Sequence, residues 1–252
     1  MIINSDINVL GSLPDWNLIN VFLIESIGKL RAKGGLQSFT TLETDKSVKR
    51  FEKAISATLI NFQNENVEDI FREAIISEKI TKDTLLMLYW NASENNSLLN
   101  YLNEKVFYPA FYSGRVTIKN DEVVACLNEL KETEVDLKKW ADSTIEITAS
   151  KYLTLLKKFG LMEGSQNKTI NHPHLSDKSF LLFIYWLVAL EPNNDILKSS
   201  RLNYAFSEKQ ILIERLLQKK YSKYLNVTYT GDKLRIETLI PYKEIYHVAT
   251  KF

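Results

Sequence analysis

Residues 130–174 constrain the fold of this chain more than any other stretch, because they join a long helical period to a glycine stop and a short return strand. Ile145, Ala149, Tyr152, Leu153, Leu156 and Phe159 recur at i, i+4, i+7, i+8, i+11 and i+14, which is one apolar stripe of a helix. Asp142 or Ser143 is placed to cap that helix, since a side-chain oxygen there accepts a free N–H of the first turn. Gly160 is placed to close it, where a left-handed residue costs least. Beyond it, Gly164-Ser165-Gln166-Asn167 is rich in turn formers, and Lys168-Thr169-Ile170 reads as a return strand that Pro173 stops. The preceding residues read as a further helix, so the segment has the layout of a winged helix-turn-helix. A plain helical hairpin within an all-α core fits the same pattern.

The opposite face of the 143–159 helix carries Thr144, Thr148, Lys151, Thr154 and Lys158. Short hydroxyls near the helix start suit base edges and lysines further along suit phosphates, so Thr144, Thr148, Lys151 and Lys158, with Lys168 on the return strand, are expected to touch nucleic acid. A second basic face lies upstream. Thr44 or Asp45 caps a helix that buries Val48, Phe51, Ile55, Leu59 and Phe62, and Lys46, Lys49, Arg50 and Lys53 form a stripe on its outer side. Such stripes neutralise phosphates whatever the sequence, although a solvated helix face looks the same.

The formal charge of the 252 residues is only +1, but the signs are segregated. Residues 62–104 hold eight acidic and three basic side chains, whereas residues 198–224 hold seven basic and two acidic. In the basic region a helix over Ser207–Tyr224 is expected to bury Ile211, Leu212, Leu216 and Leu217 and to expose Lys209, Arg215, Lys219, Lys220 and Lys223. Of these, Lys219, Lys220 and Lys223 join the nucleic-acid candidates. The run LNVTYTGDKLRIETLI then alternates around Gly231-Asp232 as a β-hairpin, with Lys233 and Arg235 two apart and hence on one face.

Eight glycines, five prolines and long amphipathic runs indicate a mainly α chain: a helical bundle with a winged helix-turn-helix and a small C-terminal helix plus β-hairpin. Expected boundaries are an N-terminal helical domain at 1–120, the winged segment at 121–176 and a C-terminal helical region with the hairpin at 177–252. Pro14 opens a first helix ending near Gly34-Gly35, short acidic helices follow at 66–79 and 81–92, and Pro109 kinks or ends an aromatic helix over 95–112. The apolar run Phe180–Leu190 is 11 residues long, short of the roughly 20 that span a bilayer, and reads as a buried helix. No secretion signal is evident, so a cytoplasmic protein without membrane contact is expected.

Catalytic signatures are missing. There is no phosphate-binding glycine loop and no nucleophile elbow, and adjacent carboxylates such as Glu68-Asp69 point to different parts of a helix surface. The single cysteine, Cys126, rules out an internal disulfide framework and reads as core filling. His172 and His174 flank Pro173 without partners at ligand spacing, so neither metal nor cofactor is expected.

Several blocks in order, LINVFLIESIGKL, TDKSVKRFEKAISATL, LLNYLNEKVFYPAF and W-x-x-S-T followed by a helix ending LLKKFGLM, make the chain resemble the BrxA proteins of bacterial BREX phage-defence systems over roughly residues 15–175. The resemblance implies a mostly helical, non-enzymatic protein that binds double-stranded DNA beside other defence-system proteins. Its blocks place contacts on Lys49, Arg50, Thr144 and Thr148. The 195–252 extension has no counterpart in those blocks. A protein-interaction adaptor that assembles a defence complex without touching nucleic acid remains the alternative.

Overall fold

The computed structural model describes residues 3–14, 16, 19, 44–77, 80–165, 168–191 and 196–251. The expected helix from Pro14 to Gly34-Gly35 lies largely outside them. In chain order the α-helices are α1 (Asp6–Leu10), α2 (Asp45–Thr58), α3 (Glu65–Ser77), α4 (Lys82–Asn95), α5 (Ser97–Leu102), α6 (Tyr108–Tyr112), α7 (Asn120–Thr133), α8 (Val135–Lys138) and α9 (Asp142–Lys158). Strands β1 (Met162–Glu163) and β2 (Thr169–Ile170) precede α10 (Asp177–Leu190) and α11 (Lys209–Leu216). Strands β3 (Leu225–Tyr229) and β4 (Leu234–Thr238) lead to α12 (Tyr242–Ala249). The chain is therefore mainly helical with two small antiparallel hairpins. It divides into two compact units, residues 1–61 with 88–172 and residues 62–87 with 173–252; the boundary at Met87/Leu88 falls inside α4.

In the first unit, Thr44 caps α2 as its spacing predicts, its Oγ1 accepting the Ser47 N–H at 3.2 Å. Val48, Phe51 and Ile55 are buried below the helix. The aromatic run does not end at Pro109. It passes from α5 through a π-helical turn, Asn103–Phe107, directly into α6. Proline lacks an N–H and its ring crowds the carbonyl a turn back, and the wider i→i+5 spacing relieves both conflicts. The same turn buries Asn103, whose Nδ2 donates to Ser93 Oγ at 3.0 Å and whose Oδ1 accepts from Tyr152 of α9 at 3.1 Å. A polar network thus ties α9 into the core with its groups paired.

α9 packs on α7, and β1 packs on α9. Its N-cap is Ala141, without a side-chain cap bond, so neither Asp142 nor Ser143 caps it. Asp142 is instead the first helical residue, where a carboxylate still favours the helix dipole. Gly160 closes the helix at φ +78° as expected. β1 and β2 pair antiparallel, Met162 with Ile170 and Glu163 with Thr169. The segment before α7 adds to the other side of β2: Thr117 bridges Thr169, and the Ile170 N–H donates to Val116 O at 2.8 Å.

In the second unit, α10 is the core element. Ser176 caps it, and every residue from Phe180 to Leu187 is buried, because α3, α12 and β4 all pack on it. Among the described residues no helix is long and apolar enough to cross a membrane. The β3–β4 hairpin turns at Gly231, φ +90°, with Thr228 opposite Arg235 and Asn226 opposite Glu237. Leu234 and Ile236 face inward while Arg235 and Glu237 face solvent. The helix expected over Ser207–Tyr224 is shorter, Lys209–Leu216, and a 3-10 turn, Lys219–Tyr221, follows it. Its buried side is Leu212, Ile213 and Leu216; Ile211 and Leu217 are exposed.

Candidate nucleic-acid interface

The stripe on α2 is laid out as its period demands. Lys46, Lys49, Arg50 and Lys53 are all exposed, and none is in an ion pair among the described residues. Four cations within two turns, with Val48 and Phe51 anchoring the other side, make a rigid positive ridge.

On α9 the expected contact face is mostly covered. α1 packs across it, burying Ile7 and Leu10, so this helix has two inward sides where the apolar stripe suggested one. Thr148 is fully buried: its hydroxyl donates to Thr144 O at 2.8 Å and accepts from Asn8 Nδ2 at 3.1 Å. It has no face left for a base, and the expectation of a Thr148 contact is corrected. Thr144 and Lys151 are half-buried. The Lys158 ammonium donates to Leu13 O, while Lys158 O accepts from Trp16 Nε1 at 3.2 Å. The side of α9 open to solvent instead carries Ser143, Glu146, Ile147, Ser150 and Lys157. Arginine, asparagine and glutamine, the usual readers of purine edges, are missing from it.

Lys151, Lys157 and Lys158 in the C-terminal half of α9 and Lys168 on the first hairpin nevertheless lie close enough to feel one another's charge. Burial and then the Lys151 charge push the Lys158 amine down to about 8. Burial, then Lys157 and Lys151, lower Lys168, whose Nζ donates to Thr154 Oγ1 at 3.2 Å. Lys157 donates to Gly164 O at 2.8 Å. Among the described residues no carboxylate pairs with any of the four. The helix dipole favours Lys157 and Lys158, which sit in the last turn, but not Lys168 on the hairpin.

The depressed Lys158 has a stability consequence. Its pKa is lower folded than unfolded, so between about pH 8 and the ordinary lysine value the unfolded chain binds more protons and stability rises with pH. Chemical unfolding of the parent and Lys158→Met across that window is the check. The parent is expected to gain stability relative to the variant as pH rises; a constant difference contradicts the assignment.

In the second unit the three expected lysines differ. Lys219 is exposed. Lys223 lies 4.8 Å from the Tyr224 ring centroid. Lys220 is committed to structure, with its Nζ 2.6 Å from Asp177 Oδ2 at the start of α10. Asp177 also accepts from Arg215 at 2.8 Å and Tyr221 at 2.7 Å. Arg215, expected to be exposed, stacks on Phe180 at 4.2 Å with its side chain only 16% exposed. Burial opposes ionisation of Asp177, but the bonds from Lys220, Tyr221 and Arg215 outweigh it and hold the carboxyl well below its usual range. Burial, and next the bond to Asp177, push the Tyr221 phenol up to about 12.

Sequence reasoning missed Lys157 and the outward Ser150. The available signal was Leu155, an apolar residue three after Tyr152 and four before Phe159, which widens the apolar stripe toward the face assigned to Thr148 and Lys151.

Cys126 is half-buried on α7, and burial raises its thiol above the usual value, so it is not an activated nucleophile. Among the described residues no group of three or more metal-ligating side chains converges. Neither a curated protein nor a solved structure matches the chain. The BrxA family model matches residues 40–184, which includes the α2 stripe, the π-turn, α9 and the first hairpin. With more than half of its length matched by that model, the chain belongs to the BrxA family, proteins associated with bacterial BREX phage defence.

Proposed function

We propose that this chain is a non-enzymatic DNA-binding accessory protein of a BREX-type system, holding duplex through a winged helix and the basic face of α2. The observation that carries the reading is the lysine group at 151, 157, 158 and 168. Like charges held together with no carboxylate paired to them among the described residues repel one another, and a polyanion offsets that cost. The α2 ridge supports it with four further cations that form no ion pair among the described residues. The order α6, the 116–118 segment, α7, the one-turn α8, α9, β1 and β2, with β2 between 116–118 and β1, supports a winged arrangement. Because α9 presents few base-reading groups, most of the affinity is electrostatic and independent of sequence.

Fluorescence anisotropy on a labelled duplex between 50 and 200 mM salt, conditions in which phosphate contacts dominate the response, tests this. Log affinity is expected to fall linearly with log salt. Charge reversal at Lys49 and Arg50 is expected to weaken every duplex alike and to flatten the slope by about 0.9 for each phosphate no longer neutralised. Absence of duplex binding by the parent at the low-salt end overturns the reading.

A second reading, an adaptor for other defence proteins, is favoured by the apolar side chains left outside: Ile147 is 53% and Val135 68% exposed. Recovery of partner proteins from nuclease-treated extracts, joined to a null result with duplex, selects it.

A further inference from the structure

A cleft of about 480 Å³ opens in the first unit between the start of α7, the outward side of α9 and the first hairpin. Thr117, Lys119 and Asp121 line one wall, Ser150 of α9 lines the second, and Ser165 with Lys168 lines the third. We propose that this cleft is a phosphate-binding site, in which the ammonium groups of Lys119 and Lys168 and the hydroxyls of Thr117, Ser150 and Ser165 hold the oxygens of a phosphate ester.

The chemistry favours an anion of that shape. Two lysines and three hydroxyl-bearing residues line the cleft from separate elements, and tetrahedral phosphate oxygens accept bonds from both kinds of donor. Lys168 spends one donor on Thr154 Oγ1 and has no acidic partner among the described residues. Lys119 borders Glu122, but that carboxylate is already held by the Arg115 guanidinium at 2.7 Å and by the Lys119 backbone N–H at 2.9 Å. Glu122 is therefore engaged within the chain, and the side chains across the cleft supply the recognition. Among the described residues Asp121 is the one carboxylate on the wall and opposes an anion, so it gives the proposal a sign that can be tested. The volume lies in the range of small-molecule sites and exceeds a lone phosphate, which leaves room for attached sugars.

The phosphate can belong to a duplex backbone or to a free phosphate compound. Only the first possibility rests on the DNA-binding reading. The full-length chain is titrated with inorganic phosphate while backbone amide resonances are followed, and its duplex affinity is measured against salt for the parent, Lys119→Ala and Asp121→Asn. Lys119 and Asp121 are exposed, so the fold is expected to survive both changes. Phosphate is expected to shift the amides of residues 117–121 and 150, leaving those of β3 and β4 unmoved, and Lys119→Ala is expected to abolish the shifts. On duplex, Lys119→Ala is expected to flatten the salt slope by about 0.9, and Asp121→Asn to tighten binding.

A flattened slope assigns the cleft to a backbone phosphate, with or without response to the free ion. Phosphate-induced shifts with duplex binding unchanged, or absent in the parent, assign it to a free phosphate compound; absence in the parent also removes the DNA-binding reading. Unmoved amides together with an unchanged slope in Lys119→Ala, or no duplex binding to compare, overturn the proposal.

Discussion

Gly11→Ala is expected to destabilise the protein by about 1–3 kcal/mol, the usual cost of forcing a methyl into a filled space. Gly11 follows α1 at φ −62°, a conformation any residue adopts. At an open site the same change would stabilise by roughly 0.4–1 kcal/mol, because alanine restricts the unfolded chain. Here the added Cβ would stand 2.6 Å from Lys151 O, 2.9 Å from Lys151 Cβ and 3.0 Å from Ile7 O. Two of these are backbone atoms of helices, which cannot swing aside as a side-chain tip can. Contact therefore decides the sign, and α1 must lift from α9. At roughly 2–4 °C per kcal/mol for a chain of this size, thermal unfolding resolves the effect. An unchanged or higher Tm would show that α1 is not seated on α9 as described.

Asp177→Ala should cost about 2–4 kcal/mol, between the small value of an exposed ion pair and the larger one of a buried pair broken on one side. Its carboxylate joins Arg215, Lys220 and Tyr221, and its loss leaves the 16%-exposed Arg215 guanidinium without its counter-charge. Asp177→Asn separates charge from shape, keeping an acceptor for Tyr221 while removing the ion pairs. The pH dependence follows the lowered pKa. Stability from this group is present above the unfolded value near 3.8 and lost as pH falls through the folded value beneath it. Denaturant unfolding of the parent is thus expected to weaken below about pH 4 more steeply than that of Asp177→Asn. Parallel acid limbs in the two proteins would refute the assignment.

Much of the architecture was legible because periodicity and punctuation act locally. The α2 cap at Thr44, the stop at Gly160, the buried run of α10 and the turn at Gly231 each follow from a few neighbouring residues. What escaped depends on distant partners. α1 has five residues and no repeating period, so nothing in DINVL announces a helix, yet it decides which side of α9 meets solvent. Thr148 reads as polar and outward, but by returning its hydroxyl to Thr144 O it enters the interior at little cost. Lys220 looks like any surface lysine until Asp177, distant in sequence, is brought to it. For the proposed interface, the exposure of the α2 stripe was readable in full, the lysines of α9 only as charges without their surroundings, and the cleft at Lys119 not at all, since its walls come from three separated segments.

The π-turn at Asn103–Phe107 has a consequence for the family's history. An i→i+5 turn inside an α-helix holds one residue more than the regular α-helical turn it replaces. A relative shorter by one residue should have its gap among these positions and run as an uninterrupted α-helix there. Such a relative would lack a proline at the place of Pro109 and would have no inward amide to meet Tyr152, so gain or loss of the three features should travel together through the lineage.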